Sequence, residues 1–174
     1  MSRRRELIPG RYATTATLGA IVAVIVVVDQ VTKWWVHRTM ALHESVPIVD
    51  GFFNLTYVRN VGAAFGLFGD LPAAIRLPLL LLVSVGAIVL LVLLLRSLGP
   101  DQPGLRLALS AVVGGAIGNL IDRVRAGEVV DFFDVYWGQY HWPAFNVADS
   151  CISVGVVVML ILSFRQRADP PPPS

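Results

Sequence analysis

TTATLGAIVAVIVVVDQVTKWWV, residues 14–36, is an apolar run of small and β-branched residues interrupted late by Asp29 and Lys33. About 20 mostly apolar residues cross the hydrocarbon core of a bilayer, so this stretch is long enough to span. Arg3, Arg4 and Arg5 precede it, as they would a secretory leader. No A-x-A-like cleavage site follows the apolar core. Trp34 and Trp35 come instead, and a Trp pair suits a membrane interface. The stretch therefore reads as a retained transmembrane helix. It also poses a problem, because Asp29 and the chain's one lysine, Lys33, stand a helical turn apart inside it. The plainest account is an i,i+4 ion pair on one helix face, which could equally support a site.

Working outward, three more segments qualify: Leu71–Leu95, Leu105–Ile121 and Ala148–Phe164. The second carries Pro72, Arg76 and Pro78 near its start, where proline costs little and arginine can reach the interface. The composition agrees. Hydrophobic residues make up 55% of the 174 and charged residues 15%, against about 25% charged in soluble domains. Mean hydropathy is +0.67. A net charge of +2 with arginines scattered over termini and loops argues against nucleic-acid binding. The single cysteine, Cys151, allows no internal disulfide and reads as a small packing residue.

Between the spans lie two longer segments, about His37–Asp70 and Asp122–Val147. "VPIVDGFFNLTYV" and "EVVDFFDVYW" are rich enough in β-branched and aromatic residues for short strands. The expected fold is an all-α membrane protein with four transmembrane helices and a small extracytoplasmic β-containing segment. Residues 1–13 form a basic cytoplasmic amino terminus, 14–164 the membrane domain, and 165–174 a disordered proline-rich cytoplasmic tail. Arg3, Arg4, Arg5 and Arg11, then Arg96 and Arg106, then Arg165 and Arg167 fall on one side of a four-span chain, which makes that side cytoplasmic.

Threading the chain through four spans brings its polar residues to one depth. Asp29 and Lys33 lie in the outer third of the first span. Asn119, Asp122 and Arg123 close the third, Asn146 and Asp149 open the fourth, and Asn60, Asp131 and Asp134 lie in the outer segments. Simpler roles compete for several of them. Asn119 and Asn146 could bond between helices, Asp122 could pair with Arg123 or a neighbouring helix, and Asp134 reads as a solvated loop carboxylate. Arg125 reads as an interfacial arginine, and the three histidines as surface residues. Gly114, Gly115 and Gly118 read as helix-packing positions.

The chemistry on offer is carboxylate chemistry. There is no G-x-S-x-G elbow and no H-E-x-x-H. Two close Asp side chains share a proton. The ionised member draws a proton from water, while the protonated member polarises a carbonyl and later protonates the leaving amine. Such a site needs no metal and no cofactor. Residue types alone leave open which two of Asp29, Asp122, Asp131, Asp134 and Asp149 pair.

"VVDQVTKWW", "YVRNVGAAFGLF", "GGAIGNLIDRVRAGEVVDFFDV" and "FNVADSCISVGV", in this order across Thr14–Phe164, resemble the bacterial lipoprotein signal peptidases, or type II signal peptidases. The resemblance implies an aspartic intramembrane endopeptidase of the bacterial cytoplasmic membrane. Such an enzyme cuts diacylglyceryl-modified prolipoproteins just before the lipidated cysteine, near the extracytoplasmic face. Motif by motif it implies Asp131 ("GEVVDFF") and Asp149 ("FNVADS") as the catalytic pair. Asp29, Lys33, Asn60, Asn119, Asp122, Arg123 and Asn146 are the supporting or substrate-binding positions. The implied partners are lipid-modified prolipoproteins and membrane lipids. An ion-coupled carrier would spread polar groups through the membrane depth, yet the second and fourth spans lack charges in their interiors. A non-catalytic scaffold would leave the Asn/Asp cluster unexplained.

Overall fold

The computed structural model describes residues 14–63 and 66–168. The basic amino terminus expected at 1–13 lies outside the described residues. Of the tail expected to be disordered at 165–174, residues 165–168 are helical instead, and the rest lies outside the described residues. Helix α1 (Thr15–Thr39) begins where the Thr14 hydroxyl accepts the backbone N–H of Thr17 at 3.2 Å, a side-chain N-cap. Strands β1 (Ser45–Val49) and β2 (Phe53–Asn60) follow, then helices α2 (Ala73–Ser97) and α3 (Pro103–Ala126). Strands β3 (Val129–Trp137) and β4 (Tyr140–His141) lead into α4 (Val147–Ala168). Four helices are long and apolar enough to cross a membrane.

Helix α3 is the axis of the bundle, and α1, α2 and α4 all pack on it. Half of its most apolar 18-residue window is buried, against 6–11% for the others. Its glycines explain the close approach, because membrane helices pack through small residues. A methyl group at Gly114 would lie 3.1 Å from Cβ of Ile25, and one at Gly118 would lie 2.5 Å from Oδ2 of Asp29. The helix also runs five residues past the expected end at Ile121. Asp122 and Arg123 continue it because both find partners on other elements. Gly127 then stops it, at φ 75° with its N–H on the Arg123 carbonyl at 3.0 Å. A left-handed C′ glycine ends a helix this way, and here it turns the chain directly into β3.

The strands form one antiparallel meander in the order β1-β2-β3-β4. Val58 pairs with Asp131 and Asn60 with Val129, so Asn60 and Asp131 are diagonal neighbours on one face. Val36, Tyr57 and Phe132 make a buried cluster, with Met40 and Val147 packed on it. That cluster fastens the sheet to the end of α1 and the start of α4. Trp34 and Trp35 stay 59% and 48% exposed, as an interfacial belt requires.

One local reading is corrected. Asp134 is not a solvated loop carboxylate. It sits in β3, only 9% exposed, and accepts from Asn54 Nδ2 at 2.9 Å and His141 Nδ1 at 2.8 Å. Burial on the sheet demanded those donors. Arg76, in the first turn of α2, reaches back to the loop before the helix. Its Nη1 bonds the carbonyls of Gly69 and Leu71 at 2.8 and 3.2 Å, closing the loop that Pro72 leads into α2.

Candidate active site

Asn146 is the N-cap of α4, and the helix start sets the local geometry. Its Oδ1 accepts the N–H of Asp149 at 2.9 Å, and Asp149 Oδ2 accepts the N–H of Asn146 at 3.3 Å. This is a reciprocal capping box. Its consequence is positional, since it holds the Asp149 carboxylate at the mouth of the first turn. The other end of the Asn146 amide donates to Asp131 Oδ1 at 2.7 Å. One asparagine, 0% exposed, therefore touches both carboxylates.

Each carboxylate has a second amide partner. Asp131 Oδ2 accepts from Asn60 Nδ2 at 3.1 Å, through the diagonal register of β2 and β3. Asp149 Oδ1 accepts from Asn119 Nδ2 at 2.7 Å. Asp131 is 2% exposed, whereas Asp149 is half-buried. Burial, and then the negative charge of Asp149, push the Asp131 carboxyl from 3.8 up to about 7, against the Asn60 and Asn146 hydrogen bonds and the Lys33 charge. A carboxyl poised there can change protonation near neutral pH.

Beneath the pair lies an ionic layer. Lys33 Nζ reaches Asp29 Oδ2 at 2.8 Å, Asp122 Oδ2 at 3.0 Å and Asn119 Oδ1 at 2.9 Å. An ammonium has three donors, and all three are used. Asp29 therefore does pair with Lys33, and Asp122 pairs with Lys33 of the neighbouring helix rather than with Arg123. Asp29 also accepts the N–H of Ala148 at 2.9 Å, which ties α1 to the first turn of α4. The chain Asp29–Lys33–Asn119–Asp149 thus leads from the ionic layer to the second carboxylate.

Arg123 donates from Nη2 to the Gly62 carbonyl at 3.2 Å, and its charge interacts with those of Asp149, Asp131 and Asp122. It lines a cavity of about 620 Å³ together with Asn60, Asn119 and Asp149. The remaining wall is largely apolar, including Trp142, Phe145, Ile152 and Val154. All nine residues singled out from the sequence thus share one connected cluster. Gln30 was missed. Its Nε2 donates to Asp122 Oδ1 at 2.8 Å and to the Gly118 carbonyl at 3.2 Å, and its Oε1 accepts from Arg125 at 3.1 Å. Its place beside Asp29, inside an apolar span, was the available signal.

Four membrane-length helices around a carboxylate cluster, with a small sheet at that end, are the architecture of a bacterial membrane enzyme. A bacterial membrane enzyme solved by the in meso method at 2.3 Å superposes with a TM-score of 0.82 at 31% identity, covering 92% of this chain and 94% of that one. The chain belongs to the signal peptidase (SPase) II family, whose profile matches residues 21–165. The lipoprotein signal peptidase of Syntrophotalea carbinolica is 53% identical over 83% of this chain and 89% of its own length. That of Geobacter sulfurreducens is 49% identical over 88% and 95%. The protein is accordingly a membrane-embedded protease.

Proposed function

We propose that this chain cuts the signal peptide from lipid-modified prolipoproteins, using Asp131 and Asp149 as a metal-free aspartic pair. The observation carrying the reading is the Asn146 amide, which bonds Asp131 and caps Asp149 beside a largely apolar cavity. Asp131, with its raised carboxyl, suits the proton-sharing role. The ionised member takes a proton from water as the oxygen attacks the scissile carbonyl carbon. The protonated member donates to the carbonyl oxygen. As the C–N bond breaks, a proton passes to the leaving amine. The coupled pair acts as a unit, so acid and base belong to the pair.

The supporting residues act through placement. Asn60, Asn119 and Asn146 hold the carboxylates, and the Asp29–Lys33–Asp122 layer fixes Asn119 and the start of α4. Arg123, facing the cavity, can hold a substrate carbonyl. A diacylglyceryl-modified cysteine suits the apolar wall, with its acyl chains left in the bilayer. The arginine distribution supports cytoplasmic termini and a site near the extracytoplasmic face. Reporter fusions after Gly69 and after Trp137 are expected to read extracytoplasmic, and a cytoplasmic signal from either would overturn that orientation.

The central test is turnover of a diacylglyceryl-modified prolipoprotein by purified variants in detergent. Asp131→Asn and Asp149→Asn are each expected to lose at least roughly 10²–10⁴-fold. The double variant is expected to lose no more than either single one, as members of a unit do. Chelator is expected to leave the wild type active. Near wild-type turnover in either folded single variant would remove the pair as assigned.

A further inference from the structure

Gln30 follows Asp29 on α1, about 100° further round the helix. It stands inside a membrane-spanning helix, where an amide is costly unless its polar atoms are bonded. Its bonds across to α3 follow one stripe of that helix, since Gly118, Asp122 and Arg125 stand at i, i+4 and i+7. Nε2 donates to Asp122 Oδ1 at 2.8 Å and to the Gly118 carbonyl at 3.2 Å, with Asp29 Oδ2 at 3.3 Å beside them. Oε1 accepts from Arg125 Nη1 at 3.1 Å. Chemistry allows the amide one orientation. Turned over, it would set its oxygen against a carboxylate and a carbonyl, and its NH₂ against a guanidinium.

The bond to Asp122 reaches furthest. Asp122 Oδ2 accepts from Lys33 Nζ at 3.0 Å and from the N–H of Val130 at 3.3 Å. Val130 precedes Asp131, so one arm leads along β3 to the first carboxylate. Lys33 bonds Asn119 Oδ1 at 2.9 Å, and Asn119 Nδ2 bonds Asp149 Oδ1 at 2.7 Å, so the other arm leads to the second. Both arms start from Oδ2. Gln30 holds Oδ1 and thereby fixes which way the Asp122 carboxylate is turned. Resting on the aspartic pair proposed above, we infer that Gln30 is a positioning residue for the cleavage. Its amide sets Asp122, and through Asp122 the spacing at which Asp131 and Asp149 share a proton. Adhesion between helices is the competing role. Losing adhesion alone would lower stability and leave the turnover of folded molecules unchanged.

The test compares full-length variants purified in detergent. Gln30→Met keeps the length and removes the polar atoms. Gln30→Glu keeps the bond from Arg125 but turns a carboxylate on Asp122. Gly114→Ala is the control for adhesion, because its methyl group meets Ile25 Cβ at 3.1 Å in the same α1–α3 contact and reaches no residue of the polar cluster. With a diacylglyceryl-modified prolipoprotein, kcat of folded Gln30→Met is expected to fall roughly 10- to 100-fold at unchanged KM, as a small misplacement of reacting groups does. Gln30→Glu is expected to fall at least as far, and Gly114→Ala to keep wild-type kcat. In an Asp122→Asn background, Gln30→Met is expected to add no more than about twofold, because it acts through that carboxylate. In NMR spectra with nitrogen-labelled asparagine, the side-chain amides of Asn119 and Asn146 report on the two carboxylates they bond. Their signals are expected to move in Gln30→Met and to stay in place in Gly114→Ala. A kcat for Gln30→Met equal to that of Gly114→Ala, or a fall with both signals unmoved, would overturn the proposal. A wild type that cuts nothing would overturn the proposed function instead, and the amide signals would still decide whether Gln30 positions the pair.

Discussion

Replacing Asp131 by asparagine tests the electrostatics of the site without reference to substrate. The wild-type carboxyl is carried from 3.8 to about 7 in the folded chain, by burial first and the Asp149 charge second. At about 1.4 kcal/mol per pH unit, that difference corresponds to about 4 kcal/mol. Its sign is set by proton binding. Between about pH 4 and 7 the folded chain holds a proton that the unfolded chain has released, so wild-type stability falls as pH rises. The loss is complete above about pH 7, and below about pH 4 both states are protonated. An amide does not titrate, so Asp131→Asn lacks this slope. It carries a pH-independent penalty of about 1–3 kcal/mol instead, because its NH₂ faces the donors of Asn60 or Asn146. The readout is therefore the difference between the two unfolding free energies as a function of pH, measured by denaturant titration in detergent micelles. That difference is expected to move by about 4 kcal/mol in favour of the variant from pH 4 to 8. Asp149→Asn removes the second cause, so its own slope is expected to be shallower than the wild type's. Curves for wild type and Asp131→Asn that stay parallel within about 1 kcal/mol would refute the shared-proton argument.

Lys33→Met leaves Asp29 and Asp122 buried without their cation, and breaking such a layer is expected to cost about 3–5 kcal/mol. Lys33→Arg keeps the charge and is expected to be milder in stability and turnover; a fully stable, active Lys33→Met would remove the layer from the account. Gly118→Ala drives a methyl group to 2.5 Å from Asp29 Oδ2, and such overpacking is expected to cost about 1–3 kcal/mol by the same titration. Gly86→Ala, with nothing within 4 Å of the new Cβ, is its control, expected to stay within about 0.5 kcal/mol of wild type.

Much of this molecule is written in local patterns. Membrane spans depend on the length of an apolar run and strands on β-branched and aromatic content, so both could be read segment by segment. Four helices and the strand-bearing stretches followed from that alone. The i,i+4 spacing of Asp29 and Lys33 is likewise local, and their pair is present. Helix ends were less legible. The apolar signal of α3 stops at Ile121, but the helix continues through Asp122 and Arg123 to Ala126, because partners from other elements satisfy those charges. Asp134 looked solvated for the same reason, since Asn54 is 80 residues away. The pairing of Asp131 with Asp149 was suggested by motif resemblance and not by physics, because five aspartates were equivalent in sequence. In the packed chain their surroundings differ. The β2–β3 register brings Asn60 to Asp131, the capping box aims Asp149, and Asn146 reaches both. Gln30 lies 92 residues from Asp122, and no periodicity along the chain encodes a contact of that separation. The apolar pattern determined where the chain crosses the membrane, and the close packing of α1 and α4 on the glycines of α3 decided which polar groups meet.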